Sequence, residues 1–224
     1  MNTEKRKALI VGATGLVGNE LLHILLQSNT YGNVKALVRK PISIKHPKLT
    51  QRLVDFDTLE KYEEEFAVHD VFCCLGTTIK KAGSQEAFKK VDFEYPLKVA
   101  KLAKKKGAKQ FLIISAMGAN SQSHIFYNRV KGIIEEALKQ VQLPSLHIFR
   151  PSLLLGKRNE FRLGERFAEM VSPIFLPLLI GNLRKYKPIQ AKDVAQAMYQ
   201  IAKQNCKGEF VYESSHILNN SKEI

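Results

Sequence analysis

A chain of 224 residues, 45% hydrophobic and 25% charged, has ordinary globular composition and enough length to bury a full α/β core, which excludes a disordered or disulfide-stapled chain. Three cysteines, two of them adjacent (Cys73 and Cys74), and six scattered histidines give neither a disulfide framework nor a metal-ligand spacing. The net charge of +14 raises nucleic acid as a partner, but Lys89, Lys90, Lys98, Lys101, Lys104, Lys105, Lys106 and Lys109 alternate with inward apolar positions and no stacking aromatics, so a solvated face is expected instead.

The run Lys7-Ala-Leu-Ile-Val11 predicts a first strand over 7–11, stopped by Gly12. Gly15 and Gly18 follow at three-residue intervals, and Leu16, Val17, Leu21, Leu22, Ile24 and Leu25 predict a helix over 16–27. In this strand–turn–helix layout the first glycine permits the turn, the second a close approach to a pyrophosphate, and the third tight helix–strand packing. The helix N-terminus then offers orphan N–H groups to an anion. Further strands are predicted at 34–38, 52–54, 70–75, 110–115 and 146–150, with helices at 59–65, 86–106 and 125–141 between them. Strands alternating with helices, without hairpin signals, predict a parallel, doubly wound α/β sheet, a Rossmann fold. Beyond Gly156 a helix is expected at 161–171, broken by Pro173 and Pro177, then a helix at 192–204 and a last strand at 209–212. The chain is expected to form a single domain over 1–224, with a cofactor-binding core over 1–156 and a substrate-side cap over 157–224. The apolar residues Phe161, Leu163, Phe167 and Met170 of that cap would line the pocket. No signal peptide or membrane span is evident, and the thiols read as reduced, so a cytoplasmic protein is expected.

Tyr127 and Lys131 lie four residues apart on the predicted helix after the fifth strand, hence on one face. A phenol is a weak acid–base group at neutral pH, and a nearby ammonium favours its phenolate. The spacing also occurs at Tyr31/Lys35 and Tyr199/Lys203, so position decides: only Tyr127 opens the helix after the strand that ends in Ser115. A core tyrosine packed on Val130 and Ile134 is the alternative reading. At the end of the second strand stand Arg39 and Lys40, where NAD-selective sites carry an acidic residue; an arginine suits the extra 2′-phosphate of NADP.

Gly12–Gly18, Val54-Asp55-Phe56, Cys73-Cys74-Leu75-Gly76-Thr77-Thr78, Ser115-Ala-Met-Gly-Ala119, Tyr127-Asn-Arg-Val-Lys131-Gly132 and Phe149-Arg-Pro-Ser152 occur in that order. Together they resemble the atypical short-chain dehydrogenase/reductases, in the branch typified by the Tat-interacting, oxidoreductase-like proteins. The resemblance runs from about Lys7 to Lys203 and implies hydride transfer between NADP(H), rather than NAD(H), and a small carbonyl or alcohol. It implies that Gly12, Thr14, Gly15, Leu16, Val17 and Gly18 cradle the pyrophosphate, that Arg39 and Lys40 meet the 2′-phosphate, and that Asp55 and Phe56 flank the adenine. Leu75, Gly76 and Thr77 would run beside the ribose and nicotinamide, with Pro151 and Ser152 at the nicotinamide end. Tyr127 would be the acid/base, Lys131 would hold the ribose and tune Tyr127, and Ser115 would polarise the carbonyl. Relatives often carry two serines at the end of strand five; here the pair is Ser115-Ala116. A small-molecule substrate is thus the expected partner. The alternative is a regulator that senses NADP(H) and binds another protein, as a monomer or homodimer.

Overall fold

The computed structural model describes residues 5–156 and 187–222. In chain order the strands are β1 (Arg6–Val11), β2 (Tyr31–Val38), β3 (Leu49–Leu53), β4 (Asp70–Cys73), β5 (Gln110–Ile114), β6 (Ser145–Arg150), β7 (Leu154–Leu155), β8 (Ile189–Gln190) and β9 (Gly208–Glu213). Seven of them form one sheet in the order β3-β2-β1-β4-β5-β6-β9, every neighbouring pair parallel, while β7 and β8 pair separately. From β1 the chain winds outward to β3 and then crosses back to β4 on the other side of β1. That reversal opens a crevice beyond the carboxyl ends of β1 and β4, where doubly wound sheets take ligands.

The sheet is covered on both faces because its central strands are apolar on both. Ala8 and Ile10 of β1 point into one core with α1 (Leu16–Gln27); Leu9 and Val11 point into the other. The remaining helices are α2 (Ile79–Ala82), α3 (Gln85–Lys89), α4 (Tyr95–Lys105), α5 (Phe126–Gln140), α6 (Ala191–Gln204) and α7 (Ser214–Ser221). α4 and α5 build the core on the face of Leu9 and Val11. Helix α6 packs its Val194, Met198 and Ile201 into the core shared with α1. Part of the expected cap therefore belongs to the sheet: α6 backs it and β9 extends it beyond β6. The helix expected at 161–171, with Phe161, Leu163, Phe167 and Met170, lies outside the described residues.

The structure departs from the sequence pattern in two helices, the first for a readable cause. The helix predicted over 86–106 is three pieces, α3, a π turn at Lys90–Glu94 and α4. Pro96 has no N–H to donate four residues back to the Asp92 carbonyl, and its ring crowds that carbonyl, so the turn widens there. The helix predicted over 59–65 is a 3₁₀ segment, Phe56–Phe66, with non-helical backbone at Thr58 and Tyr62.

Candidate functional site

Parallel strands end on one edge of the sheet, so the topology brings the segments after β1, β2, β3, β4, β5 and β6 to the same side. The turn after β1 is built by its glycines. Gly12 has φ +82°, and a Cβ there would fall on the Cys74 carbonyl, where the chain leaves β4. Gly15 donates its N–H to the Gly12 carbonyl at 2.9 Å. A Cβ on Gly18 would strike the Gly12 carbonyl, so helix α1 can sit this close to the turn only with glycine. Gly15 caps α1 without any side-chain acceptor, which leaves first-turn N–H groups beside exposed Thr14 open to an anion. Val17 is a core side chain, so it and Gly18 offer only backbone here.

Lys131 is the least expected feature of this edge, because it is buried. Its Nζ lies 2.7 Å from Oδ1 of Asp92, with side chains 6% and 1% exposed. Asp92 belongs to the π turn, and its Oδ2 accepts the Thr77 N–H at 2.9 Å. One carboxylate thus ties Lys131 to the loop that carries Leu75, Gly76 and Thr77. Burial works against the Lys131 charge, but the Asp92 carboxylate outweighs it and the ammonium is held above its ordinary range, with the Tyr127 phenol adding to the effect. Oδ1 of Asp92 has no hydrogen bond of good geometry, and Lys131 has no ion-pair or hydrogen-bond partner but Asp92 among the described residues. An ammonium has three N–H donors, so at least one remains for a ligand.

Tyr127 opens α5 half-buried, its ring 5.5 Å from that of fully buried Phe88. Its hydroxyl makes no hydrogen bond among the described residues. The other two pairs at the same spacing behave differently. Tyr31 donates to Asp70 at 2.6 Å, and Lys35 pairs with Glu65. The Tyr199 hydroxyl lies 2.8 Å from Ser28 Oγ, and Lys203 donates to Gln200. Of the three phenols, Tyr127 alone is left open.

Ser115 sits at the end of β5 but is not free. Its hydroxyl donates to Glu135 Oε1 at 2.5 Å, and Arg150 grips that carboxylate through Nε and Nη2 while also reaching Glu213. The expectation that Ser115 polarises a carbonyl meets this obstacle, since its one proton already has a buried acceptor. Ser152 is likewise engaged: its Oγ donates to the Lys187 carbonyl and its N–H to Ser214 Oγ. The Pro151 carbonyl accepts the Met117 N–H, which joins the segments after β5 and β6. Asp55 caps the 3₁₀ segment by accepting the Asp57 N–H, and the Phe56 ring is buried against Tyr95, so Phe56 can flank a ligand only through its backbone. Arg39 and Lys40 are exposed past the end of β2 and make no ion pair with a described residue.

Sequence reasoning missed Asp92, Glu135 and the aromatic support of Phe88. Asp92 carried one signal, the proline four residues later.

A family described as NAD(P)H-binding matches residues 12–146, from the first turn glycine to β6. The chain belongs to that family. HTATIP2 of Rattus norvegicus is 38% identical over 74% of this chain and 69% of its own length. FMP52 of Debaryomyces hansenii, named mitochondrial, is 32% identical over 87% of each. The Tat-interacting branch read from the motifs is therefore the right one. The cytoplasmic placement is not: FMP52 relatives from several fungi carry the mitochondrial name, and neither free cysteines nor the lack, among the described residues, of a helix long and apolar enough to cross a membrane distinguishes the two compartments. Among solved structures, the Bordetella bronchiseptica enzyme WbmH in complex with NAD+ superposes with TM-score 0.69 at 16% identity, covering 94% of this chain and 75% of WbmH. The UDP-glucose 4-epimerase of Thermotoga maritima gives 0.68 at 16%, covering 97% and 82%. At that identity the likeness establishes the Rossmann fold.

Proposed function

We propose that this chain is an NADP(H)-dependent oxidoreductase that moves hydride to or from a small carbonyl or alcohol. The observation that carries the reading is the open Tyr127 hydroxyl beside a buried ammonium with donors to spare. Two features fit a dinucleotide: the uncapped first turn of α1 behind a glycine cradle, and Lys131 itself, whose remaining N–H groups suit ribose hydroxyls. Arg39 and Lys40 would receive the 2′-phosphate; Leu75, Gly76, Thr77, Pro151 and Ser152 would flank the nicotinamide half. When bound, the dinucleotide supplies or accepts the hydride. In the reducing direction Tyr127 gives its phenolic proton to the carbonyl oxygen, and the phenolate left behind regains a proton from solvent. Lys131 holds the ribose and stabilises that phenolate, and Asp92 keeps Lys131 charged and in place. Ser115 is assigned to fixing Glu135 and Arg150 rather than to the substrate. The chain is read as a single domain in which α6 and β9, expected in the substrate-side part over 157–224, instead complete the sheet.

A second reading, an NADP(H)-sensing regulator that binds another protein, is favoured by one observation. Neither Ser115, committed to Glu135, nor Ala116 offers a hydroxyl to a carbonyl. NADPH oxidation screened over aldehydes, ketones and quinones separates the two. A saturable activity lost in Tyr127→Phe supports the enzyme. Tight NADP(H) binding with no turnover of any carbonyl class supports the regulator.

A further inference from the structure

The edge of the sheet opposite the glycine turn holds a cavity of about 370 Å³. It is formed by the amino ends of β1, β4, β5 and β6 and by the connection from α6 to β9. Arg6, His69, Lys109, Lys203 and Lys207 line it, and no carboxylate does among the described residues. Some lysines elsewhere on this surface do have acidic partners. Lys35, Lys90, Lys98, Lys105 and Lys106 each pair with an Asp or Glu.

The charges around the cavity are unequally accounted for. Arg6 is neutralised by buried Asp70, whose two oxygens also take Tyr31 and Gln110. Lys203 lies in the last turn of α6, where a cation offsets the negative helix end, and its Nζ donates to Gln200. Lys109 and Lys207 have no ion pair or hydrogen bond through their side chains among the described residues. A second observation is independent of charge. Gln110 lines the cavity, is 1% exposed, and spends its amide N–H groups on Asp70 and on the Ala202 carbonyl. Its Oε1 is buried without a donor. Buried polar atoms of native proteins are nearly always satisfied, and an orphan at the lining of a cavity marks a missing partner.

We propose that this cavity is a second ligand site, distinct from the dinucleotide crevice, for a small phosphate ester that also carries hydroxyl groups. Lys109 and Lys207 hold the phosphate, with Lys203 at the rim, and a hydroxyl beside it supplies the donor that Gln110 lacks. The volume lies in the range of small-molecule sites. The +14 charge then has a local purpose at this edge as well as a solvating one.

Ribose 5-phosphate is the probe, with inorganic phosphate, ribose and a single-stranded oligonucleotide as comparators, all titrated by calorimetry into the whole chain. Saturable 1:1 binding of ribose 5-phosphate is expected, tighter than either phosphate or ribose alone. The double variant Lys109→Gln/Lys207→Gln changes exposed side chains, so folding is retained, and it should weaken that binding at least about tenfold. Arg39→Ala, at the other edge, should leave it unchanged, so the result stands whatever becomes of the proposed activity. Absence of saturable binding up to about 10 mM, far weaker than a useful site, overturns the proposal. So does binding unaltered in the double variant, or lost in Arg39→Ala. Tighter binding of the oligonucleotide, steeply weakened by salt, assigns the lysines to a nucleic-acid surface and overturns it too.

Discussion

The two edges of the sheet each bury an acid–base pair, and they finish the task differently. At the amino edge Asp70 takes Arg6, the Tyr31 hydroxyl and the Gln110 amide, so both of its oxygens are in use and the tyrosine beside it is closed. At the carboxyl edge Asp92 takes Lys131 and one backbone N–H, and the ammonium keeps donors in reserve while Tyr127 stays open. Burying either pair costs desolvation that the pairing offsets only when hydrogen bonds are complete. Around Asp70 itself the network is complete and serves as architecture, although the Gln110 amide beside it keeps one unsatisfied oxygen. An incomplete network, held in place at that cost, is where a ligand finishes the structure.

The largest test of this contrast is at Tyr127. Tyr127→Phe removes a hydroxyl that bonds to nothing else described, so the melting temperature should barely move. NADP(H) affinity should hold while turnover on any substrate found falls by about 10²–10⁴, the usual worth of a general acid. Full turnover in Tyr127→Phe would show that the open phenol is incidental. Tyr31→Phe is the mirror experiment: it should cost stability, by denaturant unfolding, and leave turnover per folded molecule intact.

Removing the carboxylates sharpens the comparison. Asp70→Ala leaves Arg6 partly buried with only the Ala202 carbonyl as a partner, and should cost about 3 kcal/mol of unfolding free energy, the lower end for a broken buried pair because the Arg6 side chain is 20% exposed. Cofactor affinity of the folded fraction should be unchanged. Asp92→Asn keeps an acceptor for Thr77 but removes the charge that holds Lys131 protonated. Calorimetric titration should then show NADP(H) affinity falling as pH rises, in a range where the parent is flat. A pH dependence identical to the parent's would mean that Asp92 does not govern Lys131.

The contrast also explains what the sequence made legible. The glycine turn was readable because each glycine answers a local demand: a positive φ at Gly12, a close approach at Gly18. The position of Tyr127 in the first turn of the helix after β5 was readable from the repeating βα order, although spacing alone named three candidate pairs. Asp92 was hidden because its partner lies 39 residues on and the apolar pattern of 86–106 runs straight through it; Pro96 marked the break. The engagement of Ser115 was hidden for a similar reason, since its acceptor, Glu135, comes from a neighbouring helix. Helix α7, Ser-Ser-His-Ile-Leu-Asn-Asn-Ser, has weak intrinsic propensity and forms because Ile217 and Leu218 dock on the core.

His147 of β6 extends the satisfied side of the comparison. Its Nε2 lies 2.7 Å from Ser145 Oγ and its Nδ1 3.0 Å from the Tyr212 hydroxyl, and it stacks on Phe210. Burial pushes its pKa down to about 4. The unfolded chain takes a proton near pH 6.5 that the folded protein refuses, so this contribution is complete above about pH 6.5 and is lost as pH falls toward 4. The loss is about 3 kcal/mol at most, at 1.36 kcal/mol per unit. Urea unfolding of the parent and of His147→Gln from pH 7 to 4 checks it: the parent's stability should fall more steeply. Parallel curves would mean that the ring protonates freely in the fold.

The smallest expected effect lies at the rim of the open edge. Arg39 stands exposed past β2, without an ion-pair partner among the described residues, where a 2′-phosphate would reach it if NADP(H) is the cofactor. A charge-assisted phosphate contact is worth about 1.5–3 kcal/mol, or roughly ten- to a hundred-fold in affinity. Solvent exposure and the neighbouring Lys40, which can take over part of the contact, put the effect toward the lower figure. Calorimetric titration of the parent should favour NADP(H) over NAD(H). Arg39→Ala should weaken NADP(H) alone, and Arg39→Ala/Lys40→Ala should bring the two cofactors level. Equal affinities in the parent, or a preference that survives the double variant, would remove the 2′-phosphate from this edge. The two arginines would then differ in a simple way: Arg6 is fixed by a carboxylate, and Arg39 is merely solvated.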